Sequence, residues 1–103
     1  MPRIIEMLDN VTSKHEALSN RLRLLILTIV IARQRASWTD IVADLKSCLQ
    51  KDVNPNSVSF HLKKLQETGF VKVSGSEYEP DQAAKKFQAE LQPLVGKIRG
   101  SKN

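Results

Sequence analysis

The sequence predicts a mainly α-helical domain that carries one small β-hairpin. Three observations lead to this fold class. Apolar residues recur at helical spacing in most segments, the stretch 70–73 alternates as a strand does, and Gly75-Ser76 follows that stretch as a tight turn. The length of 103 residues is that of one domain, so we expect residues 1–103 to fold as a single unit.

The N-terminal third is predicted to form two helices. Residues 3–11 place apolar side chains at helical spacing, which predicts a short amphipathic helix. Asn20 is a suitable N-cap for a second helix over 21–35. The β-branched run 28–31 favours a strand, but the length of the segment and the arginine pairs at both ends favour a helix. Because this segment is apolar nearly all round, we expect it to be the central, buried helix.

A link and a third helix are predicted next. Residues 36–38 have the character of a short extended link, with Thr39 as the N-cap of the helix that follows. Trp38 then precedes the cap and is expected to pack on the first helical turn. The helix is expected over 40–50, and its buried stripe is formed by Ile41, Val42, Leu45 and Leu49.

The sharpest start signal in the chain is Asn54-Pro55, because Asn caps helices and Pro is favoured at the first helical position. The predicted helix 54–68 buries Val58, Leu62 and Leu65 and ends at Thr68-Gly69, where Gly69 suits a left-handed conformation. A hairpin follows over 70–79, with strands at 70–73 and 77–79 and a stop at Pro80.

The order of these elements predicts a winged helix-turn-helix with extra N- and C-terminal helices. The last helix carries the apolar stripe Ala84, Phe87, Leu91 and Leu94 on one face. The expected organisation is an N-terminal helix in 1–14, a winged helix-turn-helix core in 15–80, a C-terminal helix in 81–95 and a basic tail in 96–103.

Composition narrows the class of function. Lys+Arg is 16 against 11 Asp+Glu, a net charge of +5, and a basic surplus in a small domain points first to nucleic acid. The single Cys excludes an intrachain disulfide framework and a four-cysteine zinc site. The longest apolar stretch, 24–32, is far shorter than the roughly 20 residues of a membrane span, and the acidic N-terminus does not suit a signal peptide. We therefore expect a soluble, cytoplasmic protein with no membrane partner.

The basic charge is unevenly distributed. Residues 1–36 hold six basic and three acidic side chains, residues 37–80 hold five and six, and residues 81–103 hold five and two. The flanks carry the surplus, whereas the predicted helix-turn-helix and wing are nearly neutral. Specific recognition would then depend on a few placed residues, with the flanks supplying general attraction.

The helix 54–68 has an outer face suited to the major groove of DNA. On a helical projection, the side opposite the apolar stripe carries amides, hydroxyls, lysines and one ring, with only Glu67 acidic. Amides and hydroxyls read base edges, lysine pairs with phosphate or guanine, and a ring contacts a thymine methyl. An ordinary solvated face of a small helical bundle is an equally simple reading of the helix alone. The face comprises Asn56, Ser57, Phe60, Lys63 and Lys64, with Ser59 at its edge.

The segment from Asn54 to Val71, NPNSVSFHLKKLQETGFV, resembles the recognition helix and first wing strand of winged helix-turn-helix regulators. It is most similar to the ArsR-like group and its archaeal relatives. Residues 18–27, LSNRLRLLIL, are similar to the start of that family's core, and Ser37-Trp-Thr-Asp-Ile-Val42 stands where its second helix begins. The resemblance covers roughly residues 15–80.

The resemblance implies a transcriptional regulator that binds specific double-stranded DNA. It places helix 54–68 in the major groove and the wing on the backbone or in the minor groove, through Lys72, Ser74 and Gly75. It also places Ser37 and Thr39 near the backbone, at a helix N-terminus that attracts phosphate. The sequence departs from the family pattern in carrying Arg21 instead of proline, a stretch between Leu45 and Val58 about six residues longer, and no metal-sensing cysteines at 37–40.

The apolar stripes of the terminal helices predict a homodimer. In a domain of this size, the two terminal helices offer more apolar surface than one core needs. Pairing across a twofold axis would hold two recognition helices about 34 Å apart, one DNA turn, over a pseudo-palindrome. The residues expected at the contact are Ile4, Ile5, Leu8, Phe87, Leu91 and Leu94.

The remaining candidate groups suggest no chemistry. Cys48 is expected to be a half-buried small residue, with an intermolecular disulfide or redox switch as the alternative. His61 is expected to pack beside the core, and Asp40 and Asp44 to be solvated surface acids. No motif for a nucleophile, phosphate loop or metal is present, so we expect no enzyme activity, no metal and no cofactor, and the sequence names no effector. Two other functions stay open: a winged-helix module that binds another protein, and nonspecific, chromatin-like DNA binding.

Overall fold

The computed structural model describes residues 20–100, which form four helices and three short strands. The predicted mainly helical fold with a small β wing is confirmed, and the helix-turn-helix and the wing follow each other in the expected order. The predicted helix over 3–11 lies outside the described residues. The elements are α1 (Arg21–Arg33), β1 (Ala36–Ser37), α2 (Trp38–Leu49), α3 (Pro55–Glu67), β2 (Val71–Ser74), β3 (Glu77–Pro80) and α4 (Gln82–Gly100).

Helix α1 is the central helix, as predicted. All residues from Leu24 to Ala32 are buried, and α2, α3 and α4 pack around them. The Asn20 side chain caps the start by accepting a hydrogen bond from the Arg23 N–H at 3.1 Å. The helix ends at Arg33, two residues earlier than predicted, because Gln34 adopts a φ of 67° while its N–H donates to the Val30 carbonyl.

Strand β1 was not predicted from the sequence. Ala36 pairs with Tyr78 and Ser37 with Glu77, so the hairpin becomes a three-stranded antiparallel sheet in the order β1-β3-β2. Two residues are too few to show an alternating pattern, so the sequence indicated an extended link but not its pairing with the hairpin. The pairing fastens the wing to the segment between α1 and α2.

The start of α2 corrects the predicted cap. Ser37, not Thr39, is the N-cap: its hydroxyl accepts from the Asp40 N–H, and the Asp40 carboxylate accepts from the Ser37 N–H, both at 3.1 Å. Trp38 is therefore the first helical residue and Thr39 the second. The pairing of Ser37 in β1 holds it in the extended conformation that a cap needs, so α2 begins two residues earlier than expected.

The predicted start, buried stripe and C-terminal glycine of α3 are confirmed. Pro55 is the first helical residue, and the Asn54 side chain accepts from the Asn56 N–H at 2.8 Å. Val58, Leu62 and Leu65 are buried. Gly69 follows the helix with a φ of +81°, a conformation that disfavours residues with a Cβ.

Helix α4 is longer than predicted and continues through Pro93 to Gly100. Leu94, Val95 and Ile98 are buried, and α4 packs against α1, so burial of the last turns outweighs the helix-breaking tendencies of Pro93 and Gly96. Pro93 lies on the exposed side, where the carbonyl it leaves without a helical donor can be hydrated. The basic tail predicted from residue 96 is therefore helical as far as Gly100.

The burial of α4 corrects part of the predicted dimer contact. Leu91 and Leu94 are 0% and 1% exposed within one copy of the chain, so they belong to its own core. Phe87 is half-buried and lies against Phe70, with ring centroids 5.8 Å apart. Ile4, Ile5 and Leu8 lie outside the described residues. Within residues 20–100, no helix has both the length and the apolarity needed to cross a membrane.

Candidate nucleic-acid interface

The outer face of α3 is exposed and mostly polar. The helix buries one side against α1 and exposes the opposite side, where Asn56, Ser59, Phe60 and Lys63 are all exposed. Backbone spacing puts these residues on one face, since they are separated by three or four positions. We call Asn56, Ser59, Phe60 and Lys63 the reading face.

The reading face combines one cation with one exposed ring. Phe60 is 53% exposed and is the one aromatic side chain on this face. Lys63 is exposed and forms no ion pair with any residue in the range 20–100. Lys64 differs from its neighbour, because its Nζ lies 3.6 Å from the Glu67 carboxylate and 5.6 Å from the centre of the Phe60 ring. Lys64 thereby offsets the charge of the only acid on this helix.

Two positions of α3 depart from the predicted face. Ser57 is half-buried and lines a cavity toward α1, so it does not belong to the exposed surface. Gln66 is exposed one turn beyond Lys63, in line with Ser59, and the sequence analysis did not name it. The helical projection places Gln66 nearer the apolar stripe than Ser59, so it gives no signal for this residue, whose amide suits a base edge as that of Asn56 does.

His61 fastens α3 to α1, in agreement with its predicted packing role. It is 7% exposed, and its Nδ1 accepts a hydrogen bond from the Arg23 Nε at 3.3 Å, so a neutral ring carries its proton on Nε2. Burial lowers the pKa of His61, and the nearby Arg23 charge lowers it further. The ring is therefore neutral at pH 7.

The N-terminus of α2 is already occupied by a carboxylate. Hydrogen bonds with Ser37 lower the pKa of Asp40, and the Arg33 guanidinium, 3.8 Å away, also favours its charged form. A phosphate approaching this end would meet that negative charge, and the Ser37 hydroxyl is engaged as the cap. The predicted contact with the DNA backbone is thus disfavoured at Ser37, while Thr39 is exposed.

The wing is less cationic than its lysine suggests. Lys72, Ser74 and Gly75 are exposed as the predicted contacts require, but Lys72 faces Glu79 across the hairpin, and Ser74 faces Glu77. The Arg35 Nε lies 3.2 Å from Glu77 and 3.4 Å from Glu79. Two cations and two carboxylates therefore meet on one face of the sheet, with no net charge.

Asp44 is a buried partner of Arg33, which corrects its prediction as a solvated acid. The Arg33 Nε and Nη2 donate to the two carboxylate oxygens at 2.8 and 3.1 Å, and Asp44 is only 4% exposed. This bidentate bond raises the pKa of Arg33. Together with the Arg35 pairs, it neutralises two of the cations that the sequence assigned to general attraction.

Comparison of the chain with protein-family models, with curated proteins and with solved structures finds no significant match. Within residues 20–100, no three His, Cys, Asp or Glu side chains come together as metal ligands would. Cys48 is half-buried, as expected.

Proposed function

We propose that this protein binds specific sequences of double-stranded DNA as a transcriptional regulator, with α3 in the major groove. The observation that carries the proposal is the reading face: Asn56, Ser59 and Lys63 are exposed beside an exposed Phe60, on a helix whose other side is firmly buried. These side chains supply the donors, acceptors and apolar contact that distinguish base pairs in the major groove.

The roles within the reading face follow from the side-chain chemistry. Asn56 offers an acceptor and two donors that match an adenine edge, and Lys63 donates to guanine or to a phosphate. Phe60 contacts a thymine methyl group. Glu67 is paired with Lys64, so repulsion between this helix and the duplex is reduced.

The hairpin plays a weaker, supporting part in this proposal. Lys72 and Ser74 are exposed at the wing and can reach the sugar–phosphate backbone. Glu77 and Glu79 oppose that approach, since Arg35 offsets only part of their charge. Most of the specificity is accordingly assigned to α3.

A second candidate function is a winged-helix module that binds another protein. It is favoured by two exposed apolar side chains, Phe60 at 53% and Val73 at 48%, the large hydrophobic residues left exposed in the described part of the chain. The neutral wing also suits a protein surface better than a phosphate backbone. This candidate predicts no measurable binding to any duplex at low salt.

A selection from a random duplex pool with purified full-length protein tests the proposal. The selected duplex should bind at least about 10³-fold more tightly than a shuffled duplex of the same composition. Its affinity should also fall steeply between 50 and 200 mM salt, because phosphate contacts release counterions. Equal affinity for both duplexes would indicate nonspecific, chromatin-like binding, and absence of binding would favour the protein module.

Footprinting of the selected duplex reports the number of copies bound. We propose a homodimer on a pseudo-palindrome, which predicts two protected half-sites about 34 Å apart. A single protected half-site, together with a mass of about 12 kDa by light scattering, would overturn the dimer and leave the DNA-binding proposal intact.

A further inference from the structure

A cavity of about 380 Å³ lies beside the first turn of α3. It is bounded by the first turn of α1 and by the loop from α2 to α3, and its volume falls in the range of small-ligand pockets. Four apolar side chains form its floor. They are Leu22, Leu25, Leu49 and Val53.

The edge of the cavity favours a negative charge. Arg21 and Lys51 line it, and the one acidic residue among the described lining residues, Asp52, is 97% exposed with Lys46 at 3.8 Å from its carboxylate. Lys51 forms no ion pair with a residue described by the structure. The half-buried Ser57 hydroxyl adds a hydrogen-bond donor within the cavity.

We propose that this cavity binds an amphipathic small molecule with a single carboxylate. The apolar floor takes its hydrocarbon part, and Lys51 pairs with its charge. The first turns of both α1 and α3 border the cavity, and the positive ends of their helix dipoles add to that preference. A neutral or cationic molecule of equal length lacks the charge that the edge complements.

The position of the cavity couples it to α3. Asn54 caps α3 and Ser57 lies in its first turn, and both line the cavity. The loop begins at Gln50, which adopts a left-handed conformation with a φ of 56°. A bound carboxylate adds negative charge beside the helix that approaches DNA, so it weakens DNA binding. This second part of the inference rests on the proposed function, whereas ligand binding itself does not.

Methyl NMR on the full-length protein, titrated with octanoate, tests the binding. Saturable shifts are expected at the methyl groups of the four floor residues. Octan-1-ol and octylammonium, which have the same chain length, should bind at least about threefold more weakly. Equal binding of all three probes, no shift with octanoate, or shifts spread through the whole core would overturn the proposal.

Two variants locate the site. Lys51→Gln should weaken octanoate binding about threefold, while Lys85→Gln, which changes an exposed lysine of α4 outside the cavity lining, should leave it unchanged. Val53→Phe should reduce binding by filling the cavity, and its methyl spectrum shows whether it is folded. If Lys51→Gln binds octanoate as the unmodified protein does, the assigned charge contact is wrong.

The coupling is measured on the selected duplex. Saturating octanoate should raise the Kd for DNA at least about threefold, and DNA should weaken octanoate binding by the same factor, since coupling between sites is reciprocal. If octanoate binds but the Kd for DNA is unchanged, the coupling is refuted and the ligand site stands. If no duplex is bound at any salt concentration, the proposed function fails, and the octanoate titration still decides the site.

Discussion

The helix-turn-helix and the wing are both connected to the end of α1 by an arginine, but the two connections differ in kind. Arg33 holds α2 through a bidentate bond to the buried Asp44, whereas Arg35 holds β3 through exposed bonds to Glu77 and Glu79. Removing one partner of a buried charge pair is strongly destabilising, whereas exposed pairs contribute little to stability and are screened by salt. We therefore expect a firmly held α2 beside a loosely held wing.

The same contrast applies to their outer surfaces. Lys63 on α3 has no carboxylate partner among residues 20–100, while Lys72 on the wing lies opposite Glu79. The two lysines thus carry the same charge in different surroundings, and a count of basic residues in the sequence does not distinguish them.

Removal of Arg33 is expected to have the largest effect. Arg33→Leu leaves the Asp44 carboxylate buried without its main partner, which should lower the free energy of unfolding by about 3 kcal/mol. Urea denaturation with an unchanged m-value measures this loss. A decrease below about 1 kcal/mol would mean that the two connections are equivalent after all.

Substitution of Lys63 and of Lys72 should weaken DNA binding to different extents. Lys63→Gln should weaken binding of the selected duplex about fivefold and lower the slope of log Kd against log salt by about 1. Lys72→Gln should change the Kd by no more than about twofold, because Glu79 offsets its charge. Fluorescence anisotropy at several salt concentrations compares the two variants, and equal losses would contradict the distinction.

The stability of the α1–α3 contact should depend on pH. The pKa of His61 is lowered in the folded state, so below about pH 6.5 the unfolded chain takes up a proton that the folded chain does not. The free energy of unfolding therefore decreases as the pH is lowered. Urea midpoints between pH 7 and pH 5 should show this slope, and His61→Gln should flatten it. The same substitution at His15 measures the contribution of the other histidine. An unchanged slope in His61→Gln would show that the neutral His61 ring does not cause the pH dependence.

Removal of Arg35 is expected to have the smallest effect. Arg35→Leu should cost less than about 1 kcal/mol, and the loss should disappear in 1 M salt because the pairs with Glu77 and Glu79 are exposed. A loss that persists at high salt would show that Arg35 contributes through packing.

Local signals predicted those parts of the fold that are encoded within a few residues. Asn54-Pro55 marks the start of α3 and Gly69 its end, since capping and left-handed backbone depend on the residue itself. The boundaries of α2 and α4 depend on distant partners. The pairing of Ser37 with Glu77 sets the start of α2, and burial of Ile98 extends α4 beyond its predicted end.

The candidate site was predictable only in part for the same reason. A helical projection places Asn56 and Lys63 on the exposed side, but it does not show that Lys64 meets Glu67 or that Asp44 is reached by Arg33 from another helix. The cavity is formed by segments far apart in sequence, and Ser57 faces it because α1 lies alongside.

The reading face is proposed to distinguish DNA sequences. The most direct test is the ratio of the Kd for a shuffled duplex to that for the selected duplex, measured for Asn56→Ala against the unmodified protein, with Lys72→Gln as control. Asn56→Ala is expected to lower this ratio at least about tenfold, the value of one good base contact, and Lys72→Gln is expected to leave it unchanged. A ratio unchanged in Asn56→Ala and in the corresponding Lys63→Gln variant would contradict this role of the reading face.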